Sequence, residues 1–243
     1  MSMTATLVRV STDELSQFER DPSLVEPLFE DGSGVVPDDF LKLSKTMEDR
    51  VKAAGPQMLV EGLARLDPRL KERLAERLGK SPDEWARSLQ GDDLLKMMQE
   101  RRARLSAGNE VARKTHPTLS LDKAWHGVHY ILCGETEPGA TPLSQAILGG
   151  TALGDEDDEG FSGYGPARYF TASQVAEIAH ALNDPVLESQ AAARFDPEKM
   201  AELEIYPGWR ASDAESLLNA LRQLRDFYAK AAADGDAIVT CIV

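Results

Sequence analysis

The chain reads as a helix-rich α/β fold: a small mixed β-sheet that includes the N- and C-terminal strands, packed between helices, with an all-helical insert. Three observations predict it. Short β-branched or apolar runs stand at both ends, Thr4 to Val10 and Ala237 to Val243. Most of the intervening chain repeats its apolar residues at three- and four-residue spacing, the period of a helix with one buried face. Residues 37–116 carry almost no strand signal, which makes them a helical insert in a single domain whose core is 1–36 and 117–243.

Composition narrows the function classes. A hydrophobic fraction of 42% and a charged fraction of 28% are those of a globular protein. No apolar run approaches the roughly 20 residues that cross a bilayer, so no membrane partner is expected. The N-terminus MSMTATLVRV has no basic, apolar and cleavage-site succession, and a cytoplasmic location is the expectation. Cys133 and Cys241 stand at no CxxC or metal-binding spacing and read as reduced, buried thiols. The net charge is −14, distributed unevenly: residues 37–116 hold 17 Lys+Arg against 14 Asp+Glu, and the rest 10 against 27. So acidic a chain repels a phosphate backbone, which argues against nucleic acid and for a basic protein partner. Arg101, Arg102, Arg104, Arg113 and Lys114 are the one basic cluster, and its plainer reading is a helix surface paired with its own carboxylates.

The elements follow in order. After the first strand, Ser11 and Glu14 form a capping box that opens a helix to about Arg20, and Asp31 to Gly34 make a loop. In the insert, Leu63, Leu66, Leu70, Leu74 and Leu78 keep a helical interval. Asp67 with Pro68 and Ser81 with Pro82 start helices, and Gly79 and Gly91 end them. Residues 92–105 make a further helix, and SAGNEVARKTHP returns to the core. Ser120 to Gly134 is predicted as one helix, with Ser120 as N-cap, Asp122 in the first turn, Gly134 as left-handed C-cap, and Leu121, Trp125, Val128 and Leu132 as its buried stripe. Thr141 caps a helix from Pro142 to Leu148, and GYGPARYF ends extended. Thr171 with Gln174 forms a second capping box, with Phe170 and Val175 as a hydrophobic staple. Asp196 and Pro197 open another helix, and Glu204 to Gly208 is predicted extended. Ser212 and Glu215 read as a third capping box before a helix with Leu217, Leu221, Leu224, Tyr228 and Ala231 on its buried face and Gly235 at its end. The terminal apolar run reads as a strand covered on both faces, next to the N-terminal strand.

Few motifs carry chemistry. His126, His129 and Cys133 share one helix face, but a fourth zinc ligand is wanting and no metal site is assigned. DEDDEG opens like a calcium loop and fails at its end, where Pro166 replaces the bidentate glutamate. There is no GxxxxGK[ST], GxGxxG or GxSxG, so no cofactor is expected. The candidate catalytic residues are His129 as general base with Asp122 or Glu204 orienting it. Trp125, Tyr164, Arg168 and Tyr206, polar-tipped groups near glycine and proline turns, are candidate ligand-binding residues.

The runs LDKAWHGVHYILCG, PLSQAILGG, GYGPARYFTASQVAEIAHAL and MAELEIYPGW, followed by the amphipathic last helix and strand, resemble the bacterial YfbM-like family. That is a domain family of unknown function. Residues 1–30 and 117–243 carry the resemblance, and the insert stands outside it. Leu121, Asp122, Lys123, Trp125, His129, Gly134, Tyr164, Glu204, Tyr206 and Pro207 match its pattern, whereas His126 and Cys133 depart from it. The resemblance implies an α/β fold and supplies no activity.

Two functions are therefore carried forward. The first is a non-enzymatic cytoplasmic binding or accessory protein, immunity-like or phage-associated, with an acidic interaction face. The alternative is a small-molecule hydrolase or transferase with a pocket centred on His129.

Overall fold

The computed structural model describes residues 3–29, 38–54, 91–157, 160 and 164–243. The chain divides into two compact units, one of residues 1–30 with 115–243 and one of residues 31–114.

The first unit is built on five strands: β1 (Ala5–Val10), β2 (Thr118–Asp122), β3 (Thr151–Ala152), β4 (Arg168–Phe170) and β5 (Ala237–Ile242). Their order is β2-β1-β5-β4-β3, and every described pairing is antiparallel, where a mixed sheet is predicted. Antiparallel pairing follows from the connections: the last helix delivers β5 alongside β1 in opposite sense, with Leu7 opposite Thr240. Strand β5 lies between β1 and β4 with its first five residues buried, which is why its sequence is an unbroken apolar run apart from Thr240.

Helices α1 (Thr12–Arg20), α4 (Trp125–Cys133), α5 (Pro142–Leu148), α6 (Ala172–Leu182), α7 (Leu187–Arg194), α8 (Pro197–Glu202) and α9 (Ala214–Asp234) complete this unit. The boxes of Ser11 with Glu14 and Thr171 with Gln174 are both formed, and Thr141 and Asp196 cap α5 and α8. Long helix α9 buries Leu217, Leu221, Leu224, Tyr228 and Ala231 and packs on α6 and α4. With Val128, Ile131, Leu132, Phe170, Val175 and Ile238 these residues form the main core, and burying each large side chain contributes about 1.5–3 kcal/mol before ordering costs. Arg9, itself buried, donates to Asp234 and Asp236 and so ties β1 to the α9–β5 turn.

Four local expectations are corrected. Ser120 is not an N-cap: residues 118–122 pair with the open edge of β1, and tertiary hydrogen bonding outweighs the local capping signal. Helix α4 begins only at Trp125, after Asp122 has turned the chain at φ 47°, with no side-chain cap; Gly134 closes it at φ 79° as expected. Ser212 sits in a 3₁₀ turn, Ala211–Asp213, so α9 enters from Asp213, whose carboxylate accepts the Arg210 N–H at 2.9 Å. Residues 204–208 form a turn and not an extended segment, with Glu204 at φ 54°, a cis Tyr206–Pro207 bond and Gly208 at φ 107°.

In the second unit, α2 (Asp38–Ala54) packs on α3 (Gly91–Arg113). Buried Glu48 accepts from Arg102 at 2.6 Å, which commits one of the five basic candidates to an internal pair. Gly91 starts a helix where the sequence suggests an end, and α3 continues through SAGNEVAR, because Ala and Arg favour helix and the one glycine is tolerated. The signals at Leu63 to Leu78, Asp67 with Pro68, and Ser81 with Pro82 lie outside the described residues, as do Asp31 to Gly34.

Candidate functional site

Helix α4 places two histidines at the end of the main core, and the backbone fixes the protonation of both. The His126 Nδ1 accepts the Tyr206 N–H at 3.1 Å, so its Nε2 carries the proton and donates to the Thr136 carbonyl at 3.3 Å. The fully buried His129 donates from Nε2 to the Glu137 carbonyl at 3.2 Å, and its Nδ1 has no hydrogen-bond partner. Burial is the main cause that lowers both pKa values below the ordinary histidine range. Cys133 Sγ lies 3.6 Å from His129 Nε2, yet its thiol donates to the His129 carbonyl at 3.1 Å, and burial raises its pKa. Thiol and imidazole are thus shifted away from a thiolate–imidazolium pair.

The neutral histidines have a consequence for stability. A folded-state pKa below the unfolded value means that the unfolded chain takes up protons that the folded chain refuses. Stability is therefore expected to fall on acidification below about pH 6.5. Replacing His129 with leucine removes one of the two imidazoles, and chemical denaturation across this range should show a shallower pH dependence than the parent protein.

A cavity of about 300 Å³ opens beside α4. Trp125, His126, Glu137, Tyr164, Arg168 and Thr240 are among its lining residues. Trp125 stacks on His126 with centroids 5.0 Å apart, and its indole N–H donates to the Met3 carbonyl at 3.3 Å. Arg168 is held by the Gly150 carbonyl at 2.9 and 3.2 Å and by Glu156 at 2.6 Å. Three of the four candidate ligand-binding residues, Trp125, Tyr164 and Arg168, thus converge on one cavity. Tyr206 stands behind Trp125 at a centroid distance of 6.0 Å, with its hydroxyl accepting the Met3 N–H at 3.2 Å.

The catalytic candidates do not converge. His129 is behind the wall, joined to it through the Glu137 carbonyl. Asp122 and Glu204 are exposed at turns, and among the described residues neither bonds to His129; Asp122 lines a separate hollow with Lys123 and Trp209. No group of three or more His, Cys, Asp or Glu among the described residues is arranged to hold a metal. In the sequence His126 stands out only as a possible metal ligand, and Glu137 and Thr240 do not stand out. The last had a signal, as the lone hydroxyl at the centre of an apolar strand.

An antiparallel sheet with helices against it and a cavity beside α4 is thus the architecture of the first unit. The family model "Domain of unknown function (DUF1877)" matches residues 1–241, and the chain belongs to that family. Its bounds enclose the helical segment that the YfbM-like resemblance leaves out. Among solved structures, the protein of unknown function YfbM from Escherichia coli is similar, at 24% identity, 63% coverage of this chain, 92% of its own, and a TM-score of 0.43. No curated protein matches. Among the described residues no helix is long and apolar enough to cross a membrane.

Proposed function

We propose that the protein is a non-enzymatic cytoplasmic binding or accessory protein, of the kind represented by immunity or phage-associated proteins, that meets a basic protein partner through an acidic face of its first unit. One observation carries this reading: over residues 1–30 and 115–243 the carboxylates outnumber Lys and Arg by 26 to 10, and several of those arginines are engaged within the fold. Arg9 is paired with Asp234 and Asp236, Arg168 with Glu156, and Arg222 with Glu188 and Glu215. Arg194 donates to the last carbonyls of α4, at Ile131 and Leu132. Glu177, Asp184, Glu198, Glu202 and Glu204 remain exposed along α6 to α8 and the turn that follows. Such a field steers a cationic partner and raises the association rate, and it is screened by salt.

The surroundings of His129 weigh against the hydrolase or transferase reading. A general base needs its lone pair within reach of a substrate proton, and the His129 ring is buried behind the cavity wall. The acidic-face reading is tested by affinity capture from native lysate with the full chain and with a Glu198→Gln/Glu202→Gln/Glu204→Gln variant. The parent chain should retain a basic protein at low salt and release it at high salt, and the variant should retain much less. Equal retention by the two chains would refute the assignment of the face.

A further inference from the structure

The cavity beside α4 is richer in acceptors than its lining suggests. Among its described lining residues the one cation, Arg168, is neutralised in place by Glu156 and the Gly150 carbonyl. Its histidine, His126, is neutral and has both ring nitrogens engaged by backbone groups. Polar groups are left over, Glu137 and Thr240 among them. The Glu137 side chain forms no ion pair among the described residues and belongs to an exposed residue on the rim. Thr240 is 3% exposed, lines the cavity, and its hydroxyl makes no hydrogen bond among the described residues. As a lining group, its hydroxyl offers a ligand one hydrogen bond from the cavity wall. The remaining walls are aromatic and aliphatic, with Trp125, Tyr164, Pro138, Ile147 and Ile242.

We propose that this cavity binds a small organic ammonium ion with an apolar body. The cation sits between the Glu137 carboxylate and the rings of Trp125 and Tyr164, and a polar substituent reaches Thr240. A carboxylate and aromatic rings both attract an ammonium group, and the apolar wall takes a hydrocarbon body. The net charge of −14 favours the same sign of ligand at a distance. An anionic ligand meets the opposite arrangement, since the one arginine is already paired. This site is independent of the acidic face assigned above, and failure of one assignment leaves the other standing.

Calorimetric titration of the full chain tests it with three probes of similar shape: phenethylammonium, the neutral 2-phenylethanol and the anionic 3-phenylpropionate. Phenethylammonium should bind saturably, one per chain, and roughly tenfold or more tighter than either of the others. Glu137→Gln should weaken the ammonium by about tenfold while leaving the alcohol unchanged. Because Glu137 is exposed, its variant should keep the parent melting temperature, which separates a lost ligand contact from a lost fold. A Thr240→Val variant, similar in shape, should weaken tyramine more than phenethylammonium, since only tyramine carries a second polar group. Absence of saturable ammonium binding, equal binding of the three probes, or an unaltered ammonium affinity in Glu137→Gln would overturn the proposal.

Discussion

Gly127→Ala is expected to destabilise the protein by about 1–3 kcal/mol, although alanine is ordinarily the better helix former by about 1 kcal/mol. The reversal is steric. A Cβ at Gly127 would lie 2.5 and 2.7 Å from the Cζ2 and Cε2 atoms of Trp209 and 3.0 Å from Leu217 Cδ1. The indole is anchored, since its Nε1–H donates to the Tyr206 carbonyl at 3.2 Å. Moving it aside breaks that bond and opens the packing between α4 and the turn after α8. Thermal denaturation followed by tryptophan fluorescence checks this, and a melting temperature at or above that of the parent would show that Trp209 yields freely.

Tyr228→Ala is expected to have a still larger effect, about 3–5 kcal/mol, the usual range for deleting a large buried aromatic side chain. Tyr228 is fully buried, edge-on to Phe170 at a centroid distance of 6.4 Å. Its hydroxyl donates to the Ala146 carbonyl at 2.7 Å. Ala146 stands in the last turn of α5, where carbonyls have no partner within the helix, so a side chain of α9 supplies the missing donor. Tyr228→Phe keeps the ring and removes only the donor, and should cost about 1–2 kcal/mol. Denaturant unfolding of the pair separates the packing contribution from the hydrogen bond, and a Phe variant as unstable as the Ala variant would contradict the division.

Much of this fold is legible in the sequence where one local signal and the tertiary environment agree. The buried face of α9 can be read from Leu217 to Ala231, because a long amphipathic helix has one way to bury its stripe. The boxes at Ser11 and Thr171 can be read because their partners are three residues away. The start of α4 cannot. Ser120 and Asp122 look like a cap and a first turn, but β1 offers a long-range hydrogen-bonding edge that no local pattern announces. The turn at 204–208 is hidden likewise: Glu204, a residue type uncommon at positive φ, turns the chain there beside buried Met200 and Ile205.

The site is legible only in part, for a related reason. Trp125, Tyr164 and Arg168 stand out as polar-tipped residues and do meet at one cavity. His129 stands out as an imidazole on a helix flank, yet helix position alone does not distinguish a ring facing a cavity from one sealed behind it. His126, one turn earlier, reaches the cavity because the Tyr206 amide and the Thr136 carbonyl fix its plane.

The central claim, that an acidic face of the first unit recognises a basic protein, is tested most directly on the captured partner itself. Its dissociation constant should be measured at increasing ionic strength for the parent chain and for the Glu198→Gln/Glu202→Gln/Glu204→Gln variant. Affinity should fall steeply with salt for the parent, and the variant should bind roughly tenfold or more weakly at low salt with a shallower salt dependence. An affinity indifferent to salt, or the same curve for both chains, would contradict it.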